Sequence, residues 1–256
     1  MLARPSAMGH SLGEMSDYID LHCHWVAGID DGAKTTSDSI DMLRSLVDIG
    51  FSRVVATPHM RAGMFDNDRA MLEQAYARTL DVVQGIDGMP ALGLASEHHL
   101  DDVVFSQLVA GRGLPYPPAE RAALIEFPNE RFPLKHRERM FELRMKKLRP
   151  VLAHPERYRP VWKDIGVLDP LLDGGTVLLL DVAALVGKYG RAARRCAHEL
   201  LEEGYYYAAC SDAHRASDAK EVAKGIARLY KLVGEEEGDF LLREGPQRIC
   251  EGRVED

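Results

Sequence analysis

The chain has 256 residues, 46% hydrophobic and 28% charged, enough to bury one sizeable core as one large domain or two small ones. Its 32 Lys and Arg against 40 Asp and Glu leave a formal charge of -8. That balance argues against bulk electrostatic binding of nucleic acid or anionic membrane, so an anionic ligand must be drawn by an Arg cluster or a bound cation. Four cysteines with no CxxC pair argue against a disulfide scaffold or a structural zinc site.

Residues 1–17 hold no apolar stretch of signal-peptide length and read as a flexible leader, with Met8 and Met15 as alternative starts. From Tyr18 onward strand-like and helix-like runs alternate. YIDLHCH (18–24) predicts a first strand, and Ser37 to Gly50 a helix capped by Ser37 or Asp38. FSRVVATPH (51–59) predicts the second strand. A helix follows from Asp66 to about Ile86, with apolar spacing at Met71, Leu72, Ala75, Leu80 and Val83. ALGLASEHH (91–99) is the third strand, followed by a short helix from Val103 to Ala110 and a loop over 111–118. AALIEFP (122–128) is the fourth, with a helix from Leu134 to Leu148; RPVLAHPE (149–156) is the fifth, with a helix from Val161 to Leu172. TVLLLDVAAL (176–185) is the sixth, with a helix from Gly190 to Glu203. Its apolar core is too short to cross a bilayer, and a cytoplasmic protein without membrane insertion is expected. YYYAACSDAH (205–214) is the seventh strand; helices over Ser217 to Val233 and Asp239 to Arg243 complete the chain.

Seven β/α alternations imply parallel strands with helical crossovers. No Gly-rich phosphate loop follows the first strand, which weakens the open dinucleotide-binding layout. Polar residues at the strand ends favour a barrel. His22 and His24 end the first strand, His59 the second, Glu97 the third, Glu126 the fourth, His154 the fifth, and Asp212 with His214 the seventh; Asp31 follows in IDDG, where Gly32 allows a tight turn. In a β/α barrel these ends converge on one mouth, and residues two apart on a strand point the same way. Five histidines and four carboxylates without thiolate suit Mn, Fe or Zn. His10, His98, His99, His136 and His198 are read as ordinary polar residues.

The motifs HCH (22–24), DDG (30–32), TPH (57–59), SE (96–97), IEF (125–127), AHPER (153–157) and SDAH (211–214) resemble the PHP (polymerase and histidinol phosphatase) superfamily. RAGMF (61–65), ALIEF and HPER are similar to its bacterial CpsB/YwqE-like protein-tyrosine phosphatase branch. The resemblance covers about residues 18 to 250. It implies an α/β fold, a distorted seven-stranded (β/α)7 barrel forming one domain over 18–256. It also implies a centre of three divalent metal ions, often manganese, with His22, His24, Asp31, His59, Glu97, Glu126, His154, Asp212 and His214 as ligands. The implied partner is a tyrosine-phosphorylated protein, typically a bacterial tyrosine kinase controlling capsule or exopolysaccharide synthesis. The branch carries Asn and, three residues on, Ser in its sixth-strand motif; here Asp181 and Ala184 stand there.

The residue chemistry points to phosphoester hydrolysis as well. Phosphate monoesters hydrolyse very slowly unaided, so catalysis needs strong charge stabilisation, which paired divalent ions supply together with an activated hydroxide. Four carboxylates against three divalent ions leave net positive charge at the mouth, which attracts a phosphate dianion. Glu97 is the expected bridging carboxylate. Arg61 and Arg157, two and three residues beyond ligand histidines, are expected to hold phosphate oxygens through planar forks. No cysteine has an Arg six residues later and no GxSxG is present, so cysteine and serine nucleophiles are excluded; Cys23, between two ligand histidines, should face away from them. Three alternatives stand beside this reading: a phosphatase for a small metabolite such as histidinol phosphate, an amidohydrolase, and a metal-binding module without turnover. An acidic surface and helical walls fit a monomer or an assembly alike.

Overall fold

The computed structural model describes residues 16–255, so the leader expected over 1–17 lies outside the described residues except for Ser16 and Asp17. Among the described residues, nine strands arise from the seven predicted. They are β1 (Tyr18–Cys23), β2 (Phe51–Ala56), β3 (His59–Met60), β4 (Ala91–Leu94), β5 (Glu97–His99), β6 (Ala122–Glu126), β7 (Arg149–Ala153), β8 (Val177–Asp181) and β9 (Tyr206–Cys210). The strands pair in parallel within two sheets, ordered β1-β2-β4 and β3-β5-β6-β7-β8-β9. The predicted second and third strands each break in two. Pro58 has no N–H to offer a ladder, and the chain bends there and at Ala95–Ser96. Hydrogen bonds carry across both bends, from Ala95 N–H to Ala56 O (2.8 Å) and from Ser96 Oγ to Pro58 O (2.7 Å). At the mouth an isolated parallel bridge, Cys23–Ala213, joins the end of β1 to the segment after β9. The result is a distorted α/β barrel.

The helices are α1 (Thr36–Val47), α2 (Arg69–Val83), α3 (Asp102–Val109), α4 (His136–Met145), α5 (Arg159–Lys163), α6 (Asp169–Asp173), α7 (Gly190–Glu202), α8 (Ala219–Asp239) and α9 (Gly245–Cys250). α1 is capped by Thr35, not Ser37, in a reciprocal box with Asp38. α2 buries Leu72, Ala75, Thr79 and Val83, while Met71 is exposed. The helix predicted over 161–172 is instead α5, a 3-10 turn and α6, because Asp164 caps a new turn at Gly166 N–H (2.9 Å). The sixth strand ends at Asp181, where a 3-10 turn over Val182–Val186 begins. α8 is interrupted at Gly234 (φ +85°), and the expected helix at 239–243 gives way to a π-helical turn and α9.

Two apolar clusters position the site. An inner one joins Ile19, Leu21, Val55, Leu124, Val151, Leu179 and Ala208 from the strands with Ile249 and Cys250 of α9. The outer one packs strand residues such as Ile125, Leu152 and Leu180 against the surrounding helices. This alternation is the period-2 pattern of a strand filled on one face and covered on the other.

Candidate metal centre

The mouth is built by small departures from that alternation. In β1, Ile19 and Leu21 belong to the inner cluster. Asp20 pairs with Val54 and Cys23 with Ala56, so three residues of β1 span two of β2. This bulge shifts the phase. His22 and His24 join the mouth, and Cys23, as expected, turns outward, its Sγ 3.6 Å from Met42 Sδ. The end of β7 uses another device: His154 follows Ala153 with φ +33° and Asp212 follows β9 with φ +44°, both in the left-handed region that non-glycine residues seldom occupy. The predicted strand ends are therefore corrected. His24, His154, Asp212 and His214 sit in the loops just beyond strands, while His59 and Glu97 open the short strands β3 and β5 and pair with each other in register.

All nine residues come to one place. Their donor atoms form four overlapping groups, each within 4.8 Å: His24, Asp31, His59 and His214; His22, His24 and Asp212; His22, Glu97 and His154; His59, Glu97 and Glu126. Glu97 is shared by two groups. Its Oε2 lies 3.2 Å from His22 Nε2 and 2.9 Å from His59 Nδ1, and its Oε1 lies 3.1 Å from His154 Nε2. His22 Nε2 is also 3.3 Å from Asp212 Oδ1. Burial falls outward: the Glu97 and Asp212 side chains are 1% and 3% exposed, those of His214 and Asp31 27% and 54%.

The electrostatics match a cation centre. Burial opposes charge on Glu97 and Asp212, yet the surrounding histidines, with Arg157 beside Asp212, hold both well below the usual carboxylate range. Burial likewise disfavours charge on His59, but Glu97 and Asp31 push it up to about 11. On the side facing the centre, His22 Nε2, His24 Nε2, His59 Nδ1 and Asp212 Oδ1 are buried without a well-formed hydrogen bond, despite the short approaches of His22 and His59 to Glu97. Buried polar atoms are normally satisfied, so convergent orphan imidazole nitrogens and carboxylate oxygens are the donor set that divalent cations complete.

Of the two arginines, Arg157 borders the centre. Its Nη1 donates to Asp212 Oδ2 at 2.5 Å and its guanidinium lies 4.6 Å over the Tyr189 ring. Arg157, Lys188, Tyr189 and Arg215 line, together with Asp31, Asp212 and His214, a depression of about 340 Å³. Arg61 lies two residues beyond His59 in a turn closed by the Arg61–Phe65 bridge, and among the described residues its side chain makes no ion pair. The Phe65 ring stacks on His59 (5.1 Å, 6°).

Sequence reasoning missed the supports of this centre. Asp30 is buried, with Oδ2 2.8 Å from His24 Nδ1 and accepting the His59 N–H at 3.2 Å. The DDG motif contained that signal, but only Asp31 was singled out. His99, read as an ordinary polar residue, places Nδ1 2.9 Å from Glu126 Oε2. His98 fits its plain reading, with Nδ1 on Leu124 O and Nε2 on Leu114 N–H. Asp20 accepts the Ser211 hydroxyl behind His22. Asp181, the departure at the sixth strand, stands outside the four donor groups: it caps the 3-10 turn through Ala183 N–H (2.9 Å). Beside it Glu156 accepts from Tyr206, and burial together with the Asp181 charge pushes Glu156 up to about 8.

Fold and site together define a β/α-barrel protein with a histidine and carboxylate cation centre at its mouth. Residues 18–251 match the family of capsular polysaccharide synthesis proteins CpsB/CapC, and the chain belongs to that family. It is 31% identical over 196 residues to the tyrosine-protein phosphatase YwqE of Bacillus subtilis, covering 77% of each chain. It is 24% identical over 240 residues to the putative tyrosine-protein phosphatase CapC of Staphylococcus aureus, covering 92% of each. Among solved structures it superposes with a TM-score of 0.84 at 26% identity, over 92% of this chain and 95% of the other, on one from a crystallographic study of YwqE and Streptococcus pneumoniae CpsB, described as unique metal-dependent tyrosine phosphatases.

Proposed function

We propose that residues 18–256 form a metal-dependent protein-tyrosine phosphatase with three divalent ions, manganese by preference, held by the nine residues named above. The observation that carries this reading is the convergence of those nine side chains, with their orphan donor atoms, beside Arg157. When bound, such ions supply Lewis acidity and an acidified water for attack on phosphorus. The chain's own residues do the rest. Asp30 fixes the His24 ring, and His99 fixes one oxygen of Glu126. Arg157 is clamped by Asp212 and Tyr189, which leaves its remaining N–H groups to bind equatorial phosphate oxygens without reorganisation. Arg61, in the turn that follows His59, is assigned a second phosphate contact. The departing phenolate, whose conjugate acid has a pKa near 10, is assigned charge stabilisation by the bound ions or an arginine and takes its proton from water; no side chain is assigned as general acid.

A protein-borne tyrosine is favoured over a small metabolite because the rim is open. Asp31 is half-exposed, and Met64, beside Phe65, is 59% exposed, so a phenyl ring entering from a protein surface meets apolar contacts first. The family's place in capsular polysaccharide synthesis supports a bacterial tyrosine kinase of capsule or exopolysaccharide export as substrate, in the cytoplasm. Among the described residues no helix is long and apolar enough to cross a membrane. The test is elemental analysis of chelator-free protein together with phosphate release from phosphotyrosine peptide, phosphoserine peptide and histidinol phosphate. Bound Mn with turnover of the phosphotyrosine peptide alone is expected; preference for histidinol phosphate, or metal uptake with no turnover, would overturn the reading.

A further inference from the structure

α7 carries Arg191, Arg194, Arg195 and His198, which at i, i+3, i+4 and i+7 share one helical face. The opposite face, Ala193, Cys196, Ala197, Leu200 and Leu201, is buried. Arg228 of α8 joins the basic row, and together with Glu199 and Glu202 these residues line a groove of about 580 Å³. Among the described residues none of the four arginines is ion-paired, and Arg228 Nε is buried without a partner. Two glutamates leave the groove net cationic on a chain whose formal charge is -8.

The placement opposes local stability. A helix favours acidic residues in its first turn and basic ones in its last; α7 has neither, its arginines lying toward the N-terminal end and its glutamates toward the other. Such an arrangement raises the positive potential at the end nearest the catalytic mouth. That end adjoins the mouth along the chain: Lys188 and Tyr189 border the depression at Arg157 and Asp212, and Arg191, the first residue of the groove, follows two residues later. From Arg191 to His198 the helix rises about 10 Å.

We propose that this groove docks an acidic segment flanking the phosphotyrosine of the protein substrate. The inference rests on the phosphotyrosine reading above. At about 3.3–3.6 Å per extended residue, the span of about 13 Å from Tyr189 to His198 is covered by about four residues, which places the recognised Asp or Glu residues within about four positions of the phosphotyrosine. Carboxylates reaching the arginine row gain charge-assisted hydrogen bonds, and the field of the groove speeds their encounter.

The experiment compares wild type with the double variant Arg194→Glu/Arg195→Glu, and with Arg191→Gln/Arg228→Gln as a milder pair. Three substrates are used: p-nitrophenyl phosphate, a phosphotyrosine peptide with glutamates at those positions, and the same peptide with glutamines. Wild type is expected to show a KM about 5–20-fold lower for the acidic peptide, a preference that fades at about 0.5 M salt. Both variants should lose the preference while their kinetics on p-nitrophenyl phosphate and the glutamine peptide stay unchanged. Equal KM values in wild type, or a preference that survives both variants, would overturn the proposal. Fluorescence anisotropy with the unphosphorylated acidic peptide separates the two readings. Binding lost in the variants supports the docking groove even if no phosphotyrosine peptide turns over, an outcome that would sink only the phosphatase reading. Absence of binding to wild type, or tighter binding of duplex DNA or anionic vesicles at the same arginines, overturns the docking groove whatever the turnover.

Discussion

His24 Nδ1 stands 2.8 Å from Asp30, which leaves its Nε2 as the atom aimed into the centre. Such a carboxylate partner sets the tautomer and ring angle of a metal-ligating histidine and raises its basicity. Asp30→Asn is therefore expected to weaken metal affinity about 10–100-fold while the far-ultraviolet circular dichroism stays unchanged; chelator competition measures it, and unaltered affinity would refute the role. Arg157 acts differently. Its planar fork is held by Asp212 and Tyr189, and lysine would keep the charge without the fork. Arg157→Lys should lower kcat/KM on a phosphotyrosine peptide about 10–100-fold at unchanged metal content, seen by pairing steady-state kinetics with elemental analysis.

At the scale of elements, the centre depends on where strands stop. The β1 bulge rotates His22 and His24 into the mouth, and the following loop folds back so closely that Gly32 passes over His24. A Cβ added at Gly32 would stand 2.0 Å from the His24 carbonyl oxygen and 2.5 Å from its Cβ, far inside van der Waals contact. Gly32→Ala should therefore displace the loop that carries Asp30 and Asp31, lowering metal content and melting temperature together. Gly85→Ala, on an exposed turn with only one distant neighbour at 4.0 Å, is the control expected to change neither. Normal metal content in Gly32→Ala would show that the loop tolerates the shift.

For the molecule as a whole, the mouth gathers buried carboxylates that only neighbouring imidazoles and Arg157 balance. Glu97, Asp212 and Glu126 are buried within a few ångströms of one another's histidines, and an uncompensated buried charge is costly. Ions bound only by the folded state stabilise it by about 2.7 kcal/mol at 100 times Kd, which for a chain of this size shifts the melting temperature by about 5–10 °C. Exhaustive chelation should lower the midpoint by that amount in differential scanning calorimetry, and added Mn should restore it. An unchanged midpoint would mean that the cluster is self-satisfied.

The alternation of apolar runs and helices, the barrel class and the nine side chains that converge at the mouth could be picked out in the sequence, because strand period and side-chain chemistry are local properties. The cysteine pattern excluded a thiol nucleophile for the same reason. The relative phase of His22, Cys23 and His24 was legible too, but not the backbone devices that realise it: the β1 bulge is defined by a neighbouring strand, and His154 and Asp212 reach the centre through left-handed backbone that the surrounding packing must hold in place. Nor does adjacency in the chain distinguish Asp30 from Asp31, one buried against His24 and the other half-exposed at the rim. Their roles follow from which partners the folded barrel brings within hydrogen-bonding reach, and that is set by contacts between residues far apart in sequence.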